Sequence, residues 1–222
     1  MRTLYHIPLS PGCRTVRLVL AEKKLETVLA GEASWPDSDV FLALNPAGSV
    51  PVLVEEDGAP VVEQGPIVEY LEEAYPLPAL LPGGPRARAE IRRLVAWFDG
   101  KFSTEVTSPI LMERVDKRAL RLGPPDMDAI RVALERLNGH LDYIGRLCEQ
   151  RNWLAGDELS LADLAASAHL SCLDYLGDVP WRLHEGAKGW YVRLKSRPSF
   201  RPLLSDRLPG MPPPRHYADL DF

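Results

Sequence analysis

The stretch Pro51-Val52-Leu53-Val54-Glu55-Glu56-Asp57-Gly58-Ala59-Pro60-Val61-Val62 (51–62) decides the fold of the first third of this 222-residue chain. Two short apolar runs flank an acidic connection that ends in Asp-Gly, a dipeptide suited to the positive φ angles of a tight hairpin. Upstream, Thr3 to Ile7 reads as a strand. Arg14 to Lys24 then sets Val16, Val19, Leu20 and Lys23 at helical spacing, with Arg17 and Glu22 on the other side. Glu26 to Ala30 reads as a second strand, Gly31 to Asp37 as a polar loop holding Trp35, and Asp39 to Leu44 as a short helix stopped at Asn45-Pro46. Downstream of the hairpin, Ile67 to Tyr75 reads as a helix ended by Pro76 and Pro78.

The order βαβαββα joins a right-handed parallel crossover to an antiparallel hairpin in one sheet, the thioredoxin-like layout, over residues 1–80. Residues 81–89 read as a linker, opening with Leu81-Pro82-Gly83-Gly84-Pro85. Over residues 90–204 no strand pattern returns. Ile91, Leu94, Val95, Phe98 and Phe102 form one helical stripe; Ile130, Leu134, Leu137, Leu141, Ile144 and Cys148 form another. Pro109 is predicted to kink or end the first of these helices, and Gly123-Pro124-Pro125 marks a turn. Ser160-Leu161-Ala162-Asp163 has capping-box form and assigns no catalytic duty, only a helix start. A last helix is predicted over Ala187 to Ser196, and residues 205–222 read as an extended, proline-rich tail. The fold class is α+β: a thioredoxin-like domain followed by an all-α bundle.

Composition narrows the function. Lys+Arg 26 against Asp+Glu 31 leaves a net charge of −5, which argues against a nucleic-acid partner. No run of 18 uninterrupted apolar residues is present, and the opening Met1-Arg2-Thr3-Leu4-Tyr5 lacks a signal-peptide core, so no membrane insertion is expected. Three cysteines far apart (Cys13, Cys148, Cys172) and five scattered histidines give neither a disulfide framework nor metal-ligand spacing. A reducing cytoplasm and no bound metal are expected.

Four places could carry chemistry. Ser10-Pro11-Gly12-Cys13 lies between the first strand and helix, where free N–H groups and the helix dipole favour an anion. Redox relatives of this layout put Cys-x-x-Cys here. With oxygen at the first position, dithiol exchange through Cys13 ranks last, while Ser10 can still donate a hydrogen bond to another molecule's thiolate. Val50-Pro51 precedes the third strand, where a cis proline would expose a backbone edge to a ligand. Glu63-Gln64 precedes the third helix, where an acid can meet an ammonium group, although Pro66 removes one N–H donor. Trp35 is either folded on the core or an exposed anchor for a partner.

Together these features resemble the glutathione S-transferases. Residues 10–17, 45–53 and 63–76 carry the resemblance in the first domain, and Trp153 to Asp163 carries it in the helical one. The resemblance implies that Ser10 corresponds to the thiol-activating serine, Val50 and Pro51 to the pair gripping the cysteinyl moiety, and Glu63 to the acid receiving the γ-glutamyl group. Two positions depart from the pattern: Ser49 stands where relatives often have lysine, and Gln64 where they have serine. Each lost charge-assisted contact costs on the order of 1.5–3 kcal/mol, so the glutathione site looks eroded.

The opening run Leu4 to Arg14 and the closing Tyr217-Ala218-Asp219-Leu220-Asp221-Phe222 resemble, within this family, a bacterial cell-division branch that binds filaments of the tubulin-like GTPase FtsZ. That resemblance implies a cytoplasmic homodimer regulating division, with no cofactor and no catalysis. The alternative is a glutathione-dependent transferase or lyase using Ser10. The alternation of apolar and acidic residues at the end suggests that Tyr217, Leu220 and Phe222 fill pockets of a further division partner while Asp219 and Asp221 set register. On that reading, removing the tail leaves the fold intact; the alternatives are a disordered end with no duty or one that packs on its own domain.

Overall fold

The computed structural model describes residues 1–31 and 38–220, so Trp35, Asp221 and Phe222 lie outside the described residues. The chain divides into two compact units. One comprises Met1–Leu81 with Arg197–Pro212, the other Pro82–Ser196 with the residues from Pro213 onward.

In the first unit β1 (Arg2–Tyr5) pairs parallel with β2 (Thr27–Ala30) and antiparallel with β3 (Val52–Val54), which pairs antiparallel with β4 (Pro60–Val62). The sheet order is β2-β1-β3-β4, as the hairpin reading requires. Register places Tyr5, Val52 and Val62 in one row, on the face that packs with Phe41 of α2 (Asp39–Leu44). Leu4 and Leu53, one residue out of phase, point to the opposite face and are fully buried. That alternation follows from the two-residue period of a strand.

Helix α1 (Pro11–Glu22) starts at Pro11 rather than Arg14, because proline's fixed φ and missing N–H fit a first helical position. It closes with Lys24 at φ +56° while the Leu25 N–H returns to the Leu20 carbonyl. Helix α3 (Gln64–Ala74) likewise begins earlier than expected; Pro66 falls in the first turn, where no ladder bond is lost. The polar side predicted for α1 does not face water. Arg14 and Arg17 are buried, and Asp206 binds both: its carboxylate takes the Arg17 guanidinium at 2.8 and 2.9 Å and Arg14 at 3.3 Å. Glu22 accepts both arms of Arg197, at 2.6 and 2.8 Å, and the Ser199 hydroxyl. Lys23 donates to the Tyr75 and Pro78 carbonyls and pairs with Glu72 at 2.6 Å. Residues 197–212, read from sequence as the bundle's end and a free tail, are therefore part of the first unit, because α1's buried charges need their carboxylate and guanidinium partners.

In the second unit α4 (Pro85–Ala96) begins inside the predicted linker, again with proline in the first turn, so the 81–89 connection is shorter than expected. Of the two outcomes expected at Pro109, a kink or an end, the structure does not show an end. From Trp97 to Thr107 the hydrogen bonds are of the wider π type, the Ser108 N–H reaching back to Ser103, and Pro109 follows in the turn Ser108–Leu111. A ladder already shifted to five-residue closures has no α bond to lose there. A second π stretch, Met112–Asp116, and a last turn, Lys117–Ala119, complete the run. After the 123–125 turn come α5 (Met127–Gln150), α6 (Leu161–Leu176) and α7 (Glu185–Lys195). Both predicted stripes face the core, where Ile91, Leu94, Phe98, Phe102, Leu137, Leu141 and Ile144 are buried.

Asp163 does more than cap α6. Its fully buried carboxylate accepts the Ser160 N–H and hydroxyl, the Leu154 N–H at 2.9 Å and the Trp190 indole N–H at 2.9 Å. One side chain thus holds the 153–160 loop, α6 and α7 together. Asp163→Ala leaves three of these donors buried without an acceptor, each costing about 1–3 kcal/mol. The expected outcome is a loss of several kcal/mol, read as a large drop in the urea midpoint; a shift under about 1 kcal/mol contradicts this role.

Candidate functional site

The residues singled out at the α1 N-terminus come together within the first unit. Ser10 is the N-cap of α1, and its Oγ accepts the Cys13 N–H at 3.3 Å. A hydroxyl in that role still has its own proton to donate. Cys13 is fully buried, its sulfur accepting the Ile7 N–H at 3.5 Å, and burial pushes the thiol above its ordinary value. It is an inert packing residue, as its inward position implies.

Val50-Pro51 is cis, and the Pro51 carbonyl accepts the Glu63 N–H at 3.1 Å. Glu63 caps α3 with φ +69°, a left-handed conformation rare for a residue with a side chain and costing on the order of 1–3 kcal/mol. That backbone carries the carboxylate to Ser49, whose hydroxyl donates to Glu63 Oε1 at 2.5 Å. Asn45 Nδ2 in turn donates to the Ser49 hydroxyl at 3.0 Å and its carbonyl at 2.9 Å. The acid that would receive an ammonium group is thus held by a neutral relay, Asn45–Ser49–Glu63. Gln64 lies close to Gly12: a Cβ at position 12 would stand 2.9 Å from Gln64 Oε1, a contact that the flexible amide relieves by a small shift. The Gln64 amide thus stands beside the first turn of α1. Asn45 and Gly12 were missed from sequence; their signal was the Asn-Pro turn and the glycine inside the 10–13 motif.

The tail residues do not form the surface expected of them. Tyr217 is fully buried, edge-on to Tyr175 at 5.2 Å, so it cannot fill a pocket elsewhere. Lys195, also fully buried, donates to the His216 carbonyl at 2.9 Å and lies 3.6 Å from Asp174, which takes the Trp181 indole N–H at 2.8 Å and His216 at 3.2 Å. Burial lowers the Lys195 ammonium's pKa against that pairing. Loss of Tyr217 would open an aromatic-sized cavity over this ion pair, so tail removal is expected to cost stability. Asp219 is exposed and Leu220 half-buried. Among the described residues no cluster of three or more His, Cys, Asp and Glu is placed to hold a metal ion, and no helix is long and apolar enough to cross a membrane.

A thioredoxin-like unit with a cis Val50-Pro51 bond, continued by an all-helical unit, is the architecture of the glutathione S-transferase fold. The glutathione S-transferase N-terminal domain model matches residues 4–79, and the C-terminal domain model matches residues 115–198. FtsZ-localized protein A of Caulobacter vibrioides is 50% identical over 100% of this chain and 98% of its own length. The solved structure of FzlA from C. crescentus has a TM-score of 0.96 at 50% identity, covering 100% of this chain and 99% of that one. That of a glutathione S-transferase from Rhodospirillum rubrum F11 has a TM-score of 0.97 at 54% identity, with both chains fully covered. The chain belongs to the glutathione S-transferase family.

His6 gives the first unit a pH signature. It is buried beside Arg17, Asp206 and Arg14, its Nδ1 has no partner, and burial with the Arg17 charge lowers its pKa to about 4. The unfolded chain takes up a proton below about 6.5 that the folded chain refuses until about 4, so stability is full above pH 6.5 and falls across that window. At pH 5 the loss is about 2 kcal/mol. Urea unfolding at pH 7 and pH 5 should show a smaller pH dependence for His6→Leu than for the unsubstituted chain; identical slopes contradict the assignment.

Proposed function

We propose that this chain is a non-catalytic, homodimeric member of the glutathione S-transferase family that binds FtsZ filaments in the cytoplasm at the division site and promotes constriction. The observation that carries this reading is 50% identity over the whole chain to a protein named for its localisation with FtsZ. The site geometry supports it: Glu63 is engaged by Ser49, and Gln64 lies close to Gly12. A tripeptide with an ammonium and two carboxylates gains little from a neutral relay. Residues beyond the Tyr217 anchor, Asp219 to Phe222, are the part of the tail left for a further division partner. Trp35 remains a partner-binding candidate.

The second reading, a glutathione-dependent transferase or lyase, keeps one specific support. Ser10 retains a proton to donate beside a helix N-terminus, and Val50-Pro51 has the cis geometry of the family's ligand edge.

Two measurements on one preparation separate them. Calorimetric titration with glutathione should give no saturable binding at micromolar concentrations, and the protein should co-sediment with polymerised FtsZ. A low-micromolar dissociation constant together with loss of turnover in Ser10→Ala supports the enzyme instead. Failure to pellet with filaments removes the filament-binding reading.

A further inference from the structure

Large apolar side chains gather on one exposed turn of the second unit. Met112, Leu120, Leu122, Met127 and Val132 are all exposed and fall within residues 112–132, around the turn that joins Lys117–Ala119 to α5. Leu120, Leu122 and Met127 are exposed by 64%, 60% and 62%. Every residue from 118 to 128 is exposed, so the turn is a projecting tip. Its backbone holds the apolar groups outward. The Leu122 N–H returns to the Lys117 carbonyl at 2.9 Å and the Arg121 N–H to the Arg118 carbonyl at 3.4 Å, with Arg121 at φ +56°, a conformation that favours glycine. In such a helix end the residue after the left-handed one ordinarily packs on an apolar side chain five or six residues back. Here those positions are Lys117 and Asp116, and Leu122 stays exposed.

The charges at the tip are of one sign once internal pairs are removed. Glu113 pairs with Lys117 at 2.6 Å and accepts the Asp126 N–H at 2.6 Å. The Asp126 side chain caps α5, Asp128 lies 3.4 Å from Arg131, and Asp116 is half-buried. Arg114 pairs with Asp178 at 2.8 Å. Among the described residues the guanidinium groups of Arg118 and Arg121 have neither a hydrogen bond nor an ion pair, and both are exposed.

We propose that this tip docks on an anionic lipid surface, with Leu120, Leu122 and Met127 entering the interface and Arg118 and Arg121 held at the headgroup phosphates. A projecting apolar tip needs a soft receiver: a bilayer interface accepts it as it is, whereas a protein would have to supply a matching cavity. Arginine suits the boundary, since its stem lies along apolar surface while its planar head takes phosphate oxygens in pairs. A chain of net charge −5 is repelled by an anionic surface as a whole, so the attraction is local to the tip and fixes one orientation. Two cations and three apolar side chains give weak, reversible and salt-sensitive attachment, without any segment crossing the membrane. The surface is independent of the glutathione site and of the filament reading.

The test is flotation of the full chain with vesicles of phosphatidylglycerol and phosphatidylcholine in equal parts, against vesicles of phosphatidylcholine alone, at low and high salt. The variants are Arg118→Glu/Arg121→Glu and Leu120→Ser/Leu122→Ser, whose far-ultraviolet circular dichroism should match that of the unsubstituted chain because all four side chains are exposed. The unsubstituted chain should float with the anionic vesicles at least fivefold more than with the neutral ones, and high salt should remove most of that difference. Each double variant should lower the anionic-vesicle fraction at least fivefold. No flotation with anionic vesicles, equal flotation with neutral ones, or variants that float as well as the unsubstituted chain overturns the proposal. If the arginine reversal leaves flotation unchanged and removes co-sedimentation with polymerised FtsZ, the tip serves a protein partner and the proposal fails.

Discussion

Arg17 and Asp206 form the contact on which the path of this chain turns. A buried guanidinium must be met by an acceptor, and α1 carries two of them, Arg14 and Arg17, on what its hydrophobic spacing marks as the wet side. Meeting them draws residues 197–212 into the first unit, with Arg197 and Ser199 on Glu22 as the second point of attachment. The chain then enters the second unit, where Tyr217 seals the Lys195–Asp174 pair. Buried ion pairs are poor sources of net stability but costly to break, so this routing acts as a specification of path more than as a reserve of energy.

Much of the architecture was legible from periodicity. The Asp57-Gly58 hairpin, the parallel crossover and the two long stripes fixed the element order, because strand and helix periods report directly which side of an element is buried. What periodicity missed has one cause: a charge buried by a distant partner looks the same in sequence as a charge facing water. Arg17, Glu22, Lys195 and Asp174 are of this kind, and so the tail was read as free. At Pro109, where a kink or an end was expected, the helix does not end, since the rule that proline stops a helix presumes an α ladder and the local hydrogen bonding is of π type.

At the site, sequence singled out Ser10, Val50, Pro51, Glu63 and Gln64 and named Ser49 and Gln64 as the departures; the structure puts Ser10 at the start of α1 and Glu63 and Gln64 at the start of α3. Sequence did not say what those departures do. In the structure the Ser49 hydroxyl donates to one oxygen of the Glu63 carboxylate, and Gln64 Oε1 lies close to Gly12.

The central proposal is that two side chains, rather than a different fold, weaken glutathione binding by this protein. Calorimetric titration of the Ser49→Lys/Gln64→Ser double variant tests it most directly. A restored lysine meets a glutathione carboxylate, and a serine in place of the Gln64 amide can donate to the γ-glutamyl group. Each charge-assisted contact contributes about 1.5–3 kcal/mol, a gain of roughly tenfold or more in affinity. The account predicts saturable glutathione binding in the double variant where the unsubstituted protein shows none. Equal binding in both, or none in either, contradicts it.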